Sequence, residues 1–368
     1  MRRIRAAALG CLMAVNAWAQ GADQGRRELT LDATPLPLGG VLKDQPGWES
    51  YKQRLVTPSG RVIDTGNELI SHSEGQGYGM LLAVAAADKP AFDRIWGWTR
   101  ANLMVRDDEL IAWRWTPNHR PAVSDMNNAT DGDMLVAWAL TEAAELWGEA
   151  NYRSSARRIA VELGRKTVLF KTPNGALVLP AVSGFSAEDR PDGPVINLSY
   201  YVFPALSRLP LAAPELDWQG IAQTGLDLIK LTKFGPARLP SDWISARNGE
   251  FKPAEGFPAQ FSYNSIRIPL YMAWAGIGDW DHYSDIYAWA AKRRGVLNAI
   301  DVITGAETER FVEGGYSAVG ALLLCALDGT PPPPDFSAPR DSENYYPATL
   351  GLLSLAAARM RYPSCVKK

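Results

Sequence analysis

Three cysteines and three histidines are too few, in a chain of 368 residues, for a disulfide framework or a recognisable zinc pattern. His72, His119 and His282 are also too scattered to read as one metal set. No run of about 20 apolar residues occurs, so no transmembrane anchor is expected. An excess of one charge is missing too. The 38 Lys and Arg face 40 Asp and Glu, a formal charge of −2, without the basic excess of a nucleic-acid binder. No P-loop, Rossmann fingerprint or Ser-His-Asp order stands out, which leaves nucleotide binding and serine hydrolysis unsupported.

Against these absences stand 46% apolar residues, enough for a sizeable core, and 13 Trp beside 13 Tyr and 10 Phe. Trp offers a flat apolar face with one polar edge. Such rings fill cores, and they also form platforms for flat sugar rings. Composition does not choose between the two. The N-terminus reads as an export leader. Arg2, Arg3 and Arg5 precede an apolar run over 6–15, and Ala17-Trp18-Ala19 supplies a cleavage site of small residues. Cleavage after Ala19 would take the formal charge from −2 to −5 and leave Cys325 and Cys365, which could pair in an oxidising compartment. The expected organisation is a leader over 1–19, an extension over 20–47 and one domain over 48–368.

From Trp48 onward helical stretches alternate with Gly/Pro/Asp turns. Residues 76–87 are apolar on nearly every side, as in a helix buried all round, whereas 91–103 carries only a stripe. Further helices are predicted over 131–147, 152–163, 198–206, 218–231, 265–275, 284–292, 318–326 and 346–360. Strands are few, clearest at 110–115 and 176–180, and Pro331–Pro334 reads as a stiff extended loop. Alternation of all-apolar with amphipathic helices predicts an all-α ring of helical pairs, one layer inside and one outside.

Three polar clusters open apolar helices. In Ser73-Glu74-Gly75-Gln76-Gly77-Tyr78, Ser73 and Gln76 fit a capping box that puts Glu74 in the first turn. Two readings fit Glu74: complement of the helix dipole, or a partly desolvated carboxyl of raised pKa, suited to a general acid. In Thr130-Asp131-Gly132-Asp133, Thr130 is the expected N-cap and Asp133 completes the box, leaving Asp131 for a site. At about 100° per residue the two aspartates point apart. In Ser262-Tyr263-Asn264-Ser265-Ile266-Arg267, an Arg among apolar neighbours needs a carboxylate partner, unless it is merely exposed at a helix start. Tyr78, Trp113, Trp115, Tyr200, Tyr201, Trp243 and Tyr263 lie near these clusters in sequence, and carboxylates rimmed by Trp and Tyr suit a polysaccharide cleft.

These clusters carry a resemblance. Gly60-Arg61-Val62-Ile63-Asp64, Ser73-Glu74-Gly75-Gln76-Gly77-Tyr78-Gly79-Met80 and Ala129-Thr130-Asp131-Gly132-Asp133 resemble glycoside hydrolase family 8, especially the secreted endo-β-1,4-glucanases that accompany bacterial cellulose synthase. Asn197-Leu198-Ser199-Tyr200, Ser241-Asp242-Trp243 and Ser262-Tyr263-Asn264-Ser265-Ile266-Arg267 extend it in order, from about Trp48 to Ala358. The resemblance implies an (α/α)6 toroid, an inverting mechanism, no metal or other cofactor, and a β-1,4-glucan substrate near the cellulose synthase assembly. It implies Glu74 as proton donor and Asp131 as a contact to the distorted sugar or the water. Tyr78, Trp113, Trp115, Tyr200, Asp242, Trp243, Tyr263 and Arg267 are the expected substrate-binding set.

One position departs. The family's usual general base is an Asp where this chain has Asn264. An amide accepts no proton at neutral pH, and a general base contributes about 10²–10⁴ in rate. The candidate substitutes in sequence are Asp131, Asp242, Asp125 and Glu188. Alternatives to a glucanase are a chitosanase-like β-1,4-glycanase and a glucan-binding accessory protein that has lost turnover.

Overall fold

The computed structural model describes residues 33–366; the expected leader and the first part of the extension lie outside the described residues. Eleven α-helices occupy the described residues, in two layers separated by their own patterning. Five amphipathic helices form the outer layer: α1 (Pro46–Leu55), α3 (Lys89–Asn102), α5 (Ala150–Thr167), α7 (Trp218–Leu231) and α9 (Trp280–Lys292). Six helices form the inner layer: α2 (Ser73–Ala85), α4 (Thr130–Trp147), α6 (Phe203–Arg208), α8 (Arg267–Ala275), α10 (Gly314–Asp328) and α11 (Tyr345–Arg361). The inner helices are buried along nearly their whole length, because each is apolar all round and covered on every side.

Each inner helix packs on the next, α2 on α4, α4 on α6, α6 on α8, α8 on α10 and α10 on α11, and α11 returns to α2. That closes the ring. Among the described residues, the sixth outer position has no helix. Residues 329–344, which include the Pro331–Pro334 run, cross there with Phe336 buried beside Leu352 and Leu355 of α11. At the centre Trp138 of α4 meets Trp274 of α8 edge to face, with centroids 5.1 Å apart, both fully buried. Burial of such a side chain contributes about 1.5–3 kcal/mol, and edge-to-face contact adds to it. A disulfide between Cys325 of α10 and Cys365, just past α11, ties the ends of the last helix pair.

Strands are confined to loops. β1 (Ser71–His72) pairs with β2 (Arg114–Trp115), and β3 (Val168–Thr172) forms a hairpin with β4 (Gly175–Val178). Of the strand expected over 110–115, only Arg114–Trp115 is a strand, since β1 offers two residues to pair with. The helix expected over 198–206 splits into a 3-10 turn, Leu198–Tyr200, and α6, because Pro204 has no N–H and is tolerated only at a helix start.

Both expected capping boxes are corrected. The N-cap of α2 is His72, whose Nδ1 accepts the Gly75 N–H at 3.0 Å. Gln76 is instead buried as an anchor: its oxygen accepts Val62 N–H at 2.7 Å, and its amide donates to Thr99 Oγ1 at 2.9 Å. The N-cap of α4 is Ala129, without a side-chain cap. Thr130 Oγ1 donates to Leu179 O at 2.7 Å, tying α4 to the exit of the β3–β4 hairpin. Asp133 accepts N–H from Ile111 at 2.8 Å and from the Asn128 amide at 2.8 Å. Tertiary donors outcompete the local box in both places. Burial pushes the Asp133 carboxyl up to about 8 against those two donors, which favour its ionised form.

Candidate active site

Four inner-layer segments deliver side chains to one buried guanidinium. Arg267, in the first turn of α8 and 2% exposed, donates through Nη1 to Glu74 and, at 2.9 Å, to Asp131 Oδ2. Its Nη2 donates to Ser199 Oγ at 2.9 Å and to Asn264 Oδ1 at 2.7 Å. The Tyr200 ring lies 5.8 Å from the guanidinium. The expected carboxylate partner of Arg267 is thus present twice, and the exposed-cap alternative is excluded. Burial works against the Arg267 charge, yet Glu74 holds its pKa well above the ordinary value. Asp131 and Asp133 point to different partners, as helical spacing requires.

Glu74 occupies the first turn of α2. Burial raises its carboxyl pKa; Arg267 pulls it down and Asp131 pushes it up again, and the net direction is upward. A carboxyl whose pKa is raised beside a cavity is chemically suited to donate a proton. Two glycines bring its helix close to α4. A Cβ on Gly132 would lie 2.0 Å from Ser73 Oγ and 2.9 Å from Glu74 N, and one on Gly77 would lie 2.6 Å from Leu135 Cβ. Only glycine permits this approach, which sets Glu74 beside Asp131.

Two cavities open from this cluster. The first, about 540 Å³, is lined by Glu74, Asn264 and Arg267 together with Asp64, His72, Tyr263, Glu313, Tyr316, Tyr345 and Tyr346. In its wall His72 Nε2 meets Asp64 Oδ2 at 3.3 Å, and Tyr346 Oη donates to Tyr263 O at 2.5 Å. The second, about 420 Å³, is lined by Trp113, Asp125, Asn127, Phe185, Tyr200, Trp243 and Phe257, among others. There Trp113 Nε1 donates to Asp125 Oδ2 at 2.8 Å, and Trp243 stacks on Phe257 at 4.7 Å and on Phe185 at 5.6 Å.

The expected set therefore divides. Glu74, Asn264, Arg267 and Tyr263 line the first cavity, and Trp113, Tyr200 and Trp243 the second. Asp131 is buried against Arg267. Tyr78 and Trp115 of that set line neither cavity, and neither does the nearby Tyr201. Tyr78 is fully buried, its hydroxyl paired with Tyr271; Trp115 packs edge-on to Trp98 at 5.6 Å under Arg61; Tyr201 is tied to Val178 N and Ala176 O in the core. Asp242 is buried as well and accepts N–H from Ser262 at 3.0 Å and Ser265 at 2.8 Å, which shapes the turn that carries Asn264. Sequence reasoning passed over Asp64, His72, Glu313, Tyr316, Tyr345 and Tyr346. Glu313-Gly314-Gly315-Tyr316 repeats the grammar of Glu74-Gly75-Gln76-Gly77-Tyr78, an acid and glycines before an apolar helix, and that signal could have found it.

Residues 42–360 match the family described as Glycosyl hydrolases family 8. A probable endoglucanase of Novacetimonas hansenii is 36% identical over 314 residues, 83% of this chain and 88% of that protein. An endoglucanase of Cellulomonas uda is 39% identical over 231 residues, 62% of this chain and 63% of that protein. The structure of endo-β-1,4-glucanase CMCax from Acetobacter xylinum superposes with a TM-score of 0.78 at 34% identity, covering 88% of this chain and 99% of that one.

Proposed function

The chain belongs to glycosyl hydrolases family 8, and on that premise we propose that it is an endo-β-1,4-glucanase that cleaves internal linkages of a cellulose-like glucan with inversion at C1. The observation that carries the reading is Glu74: a carboxyl of raised pKa on a cavity wall, held there by Arg267. In this mechanism Glu74 protonates the leaving glycosidic oxygen while water attacks the opposite face of the sugar. Asp131 and Arg267 orient the acid and the sugar at the cleavage point. Trp113, Tyr200 and the Phe185–Trp243–Phe257 stack hold the neighbouring glucose units by their flat faces and edges.

We propose bacterial cellulose production as the setting, outside the cytoplasm; the sequence resemblance and the export-type N-terminus support it. The Cys325–Cys365 disulfide fits an oxidising compartment. Among the described residues no helix is long and apolar enough to cross a membrane. A second reading, a glucan-binding protein without turnover, is favoured by Asn264 alone.

Reducing-sugar release and viscosity loss with carboxymethylcellulose, set beside binding to the same polymer, separate the two readings. The expected outcome is cleavage, with proton NMR of fresh product showing the α-anomer first. Binding without cleavage would leave the accessory reading, and β-anomer first would overturn inversion.

A further inference from the structure

The reaction proposed above needs a carboxylate to take the proton of the attacking water, and Asn264 does not provide one. Its Oδ1 is held by Arg267 Nη2 at 2.7 Å, and its amide nitrogen has no basic lone pair. The four substitutes read from sequence fare no better. Asp131 is spent on Arg267 and its own helix start, Asp242 on the 262–265 turn, Asp125 on Trp113 in the other cavity, and Glu188 is exposed and lines neither cavity, although Phe185 of the same loop lines the second.

Besides Glu74, two carboxylates line the cavity that contains Asn264. Asp64 has both oxygens engaged, Oδ1 by Gly66 N–H at 3.0 Å and Oδ2 by His72. It also stands on the wall of Glu74, since His72 caps the same helix. Glu313 differs on both counts. It precedes α10, the ring neighbour of α8, and its segment packs against the residue just before Asn264: Tyr263 lies 4.8 Å from Phe311 and 6.1 Å from Tyr316. Its Oε1 accepts Asn344 N–H at 2.6 Å, while Oε2 has no hydrogen-bond partner and no cation within ion-pair distance among the described residues. Glu313 stands at the N-cap position of a 15-residue helix, the end at which an acidic side chain complements the helix dipole.

We propose that Glu313 is the general base of this enzyme, acting from the α10 wall in place of the residue at 264. Glu313 Oε2 takes a proton from water as the water oxygen bonds to C1. The C1–O4 bond breaks, and the departing O4 takes the proton of Glu74. The products are an α-hemiacetal and a new chain end with a free 4-hydroxyl, and solvent returns the proton from Glu313 to Glu74. Asn264 and Tyr263 line the path of the water. The assignment rests on the glucanase reading.

The test compares parent, Glu313→Gln, Asn264→Asp and the double variant on soluble β-1,4-glucan, with and without sodium azide. Glu313→Gln is expected to lower kcat about 10²–10⁴-fold with KM nearly unchanged. Azide, which needs no base, should restore turnover and yield an α-glycosyl azide. Asn264→Asp in the Glu313→Gln background should recover hydrolysis, because it places a carboxylate beside the same water. An active parent whose Glu313→Gln variant keeps full kcat overturns the assignment alone. So does a variant that loses activity and responds neither to azide nor to Asn264→Asp. An inactive parent overturns the glucanase reading, and the assignment with it.

Discussion

The cavity lined by Arg267 and the one lined by Tyr200, whose ring lies 5.8 Å from that guanidinium, are built by different means. The first is walled by helix starts: Glu74 on α2, Asn264 and Arg267 at α8, Glu313 and Tyr316 at α10, Tyr345 and Tyr346 on α11. The second is walled by loops, with Trp113 between α3 and α4, Phe185 after the β3–β4 hairpin, and Trp243 and Phe257 between α7 and α8. One is a set of hydrogen-bonded acids and phenols, the other a set of stacked rings. Groups that must donate or accept a proton at a fixed point sit on rigid elements, and groups that need only hold a chain sit on adaptable ones.

The sharpest way to break that contrast is Glu74→Gln. It should lower kcat about 10²–10⁴-fold while binding to soluble glucan, measured by affinity electrophoresis, stays within a few-fold. Because burial raises the Glu74 pKa, the parent's kcat should fall as pH rises through that value, and the pH profile of any residual activity in the variant should lack this limb. An equal loss of binding and turnover would show that the two halves are not separable.

The disulfide sharpens the comparison from the opposite end of α10 and α11, the helices that carry the acid wall. It closes a span of 40 residues, and its removal by Cys325→Ser with Cys365→Ser should cost about 2–4 kcal/mol in urea unfolding. KM on intact protein should not move, since neither cysteine lines either cavity. The smallest effect is expected in the aromatic half. Trp113→Ala should raise KM by up to about tenfold, near the 0.5–1.5 kcal/mol of a ring contact, with kcat within about twofold. A kcat loss comparable with that of Glu74→Gln would give Trp113 a role in chemistry.

Much of this was legible before any coordinates. The alternation of residues 76–87 with 91–103 revealed inner and outer layers, because a helix apolar all round must be covered all round. Glu74, Asp131 and Arg267 were legible because a charge among apolar residues demands a partner. The caps were not. Ser73 and Gln76 satisfy the local rule, but Gln76 finds better partners in the loop before α2 and in α3, and His72 takes the cap. Tyr78 and Tyr201 have the composition of a sugar platform and the location of a core, Trp115 packs half-buried against that core, and only packing tells these apart from a platform. Glu313 escaped notice because its helix was expected to begin at 318, four residues after the start at Gly314, which left the acid in an apparent loop.

Arg267 joins Glu74, Asp131 and Ser199 across 193, 136 and 68 residues of chain. No two of these groups meet until the intervening loops have closed, and closure over such spans comes late relative to local helix formation. The centre therefore forms later than the local helices that carry it. Secondary structure can return while the guanidinium still lacks its carboxylates. Turnover then becomes a stopwatch for completion of the ring. In a refolding time course, the lag between recovered helicity and recovered cleavage measures how long the chain spends as an open horseshoe.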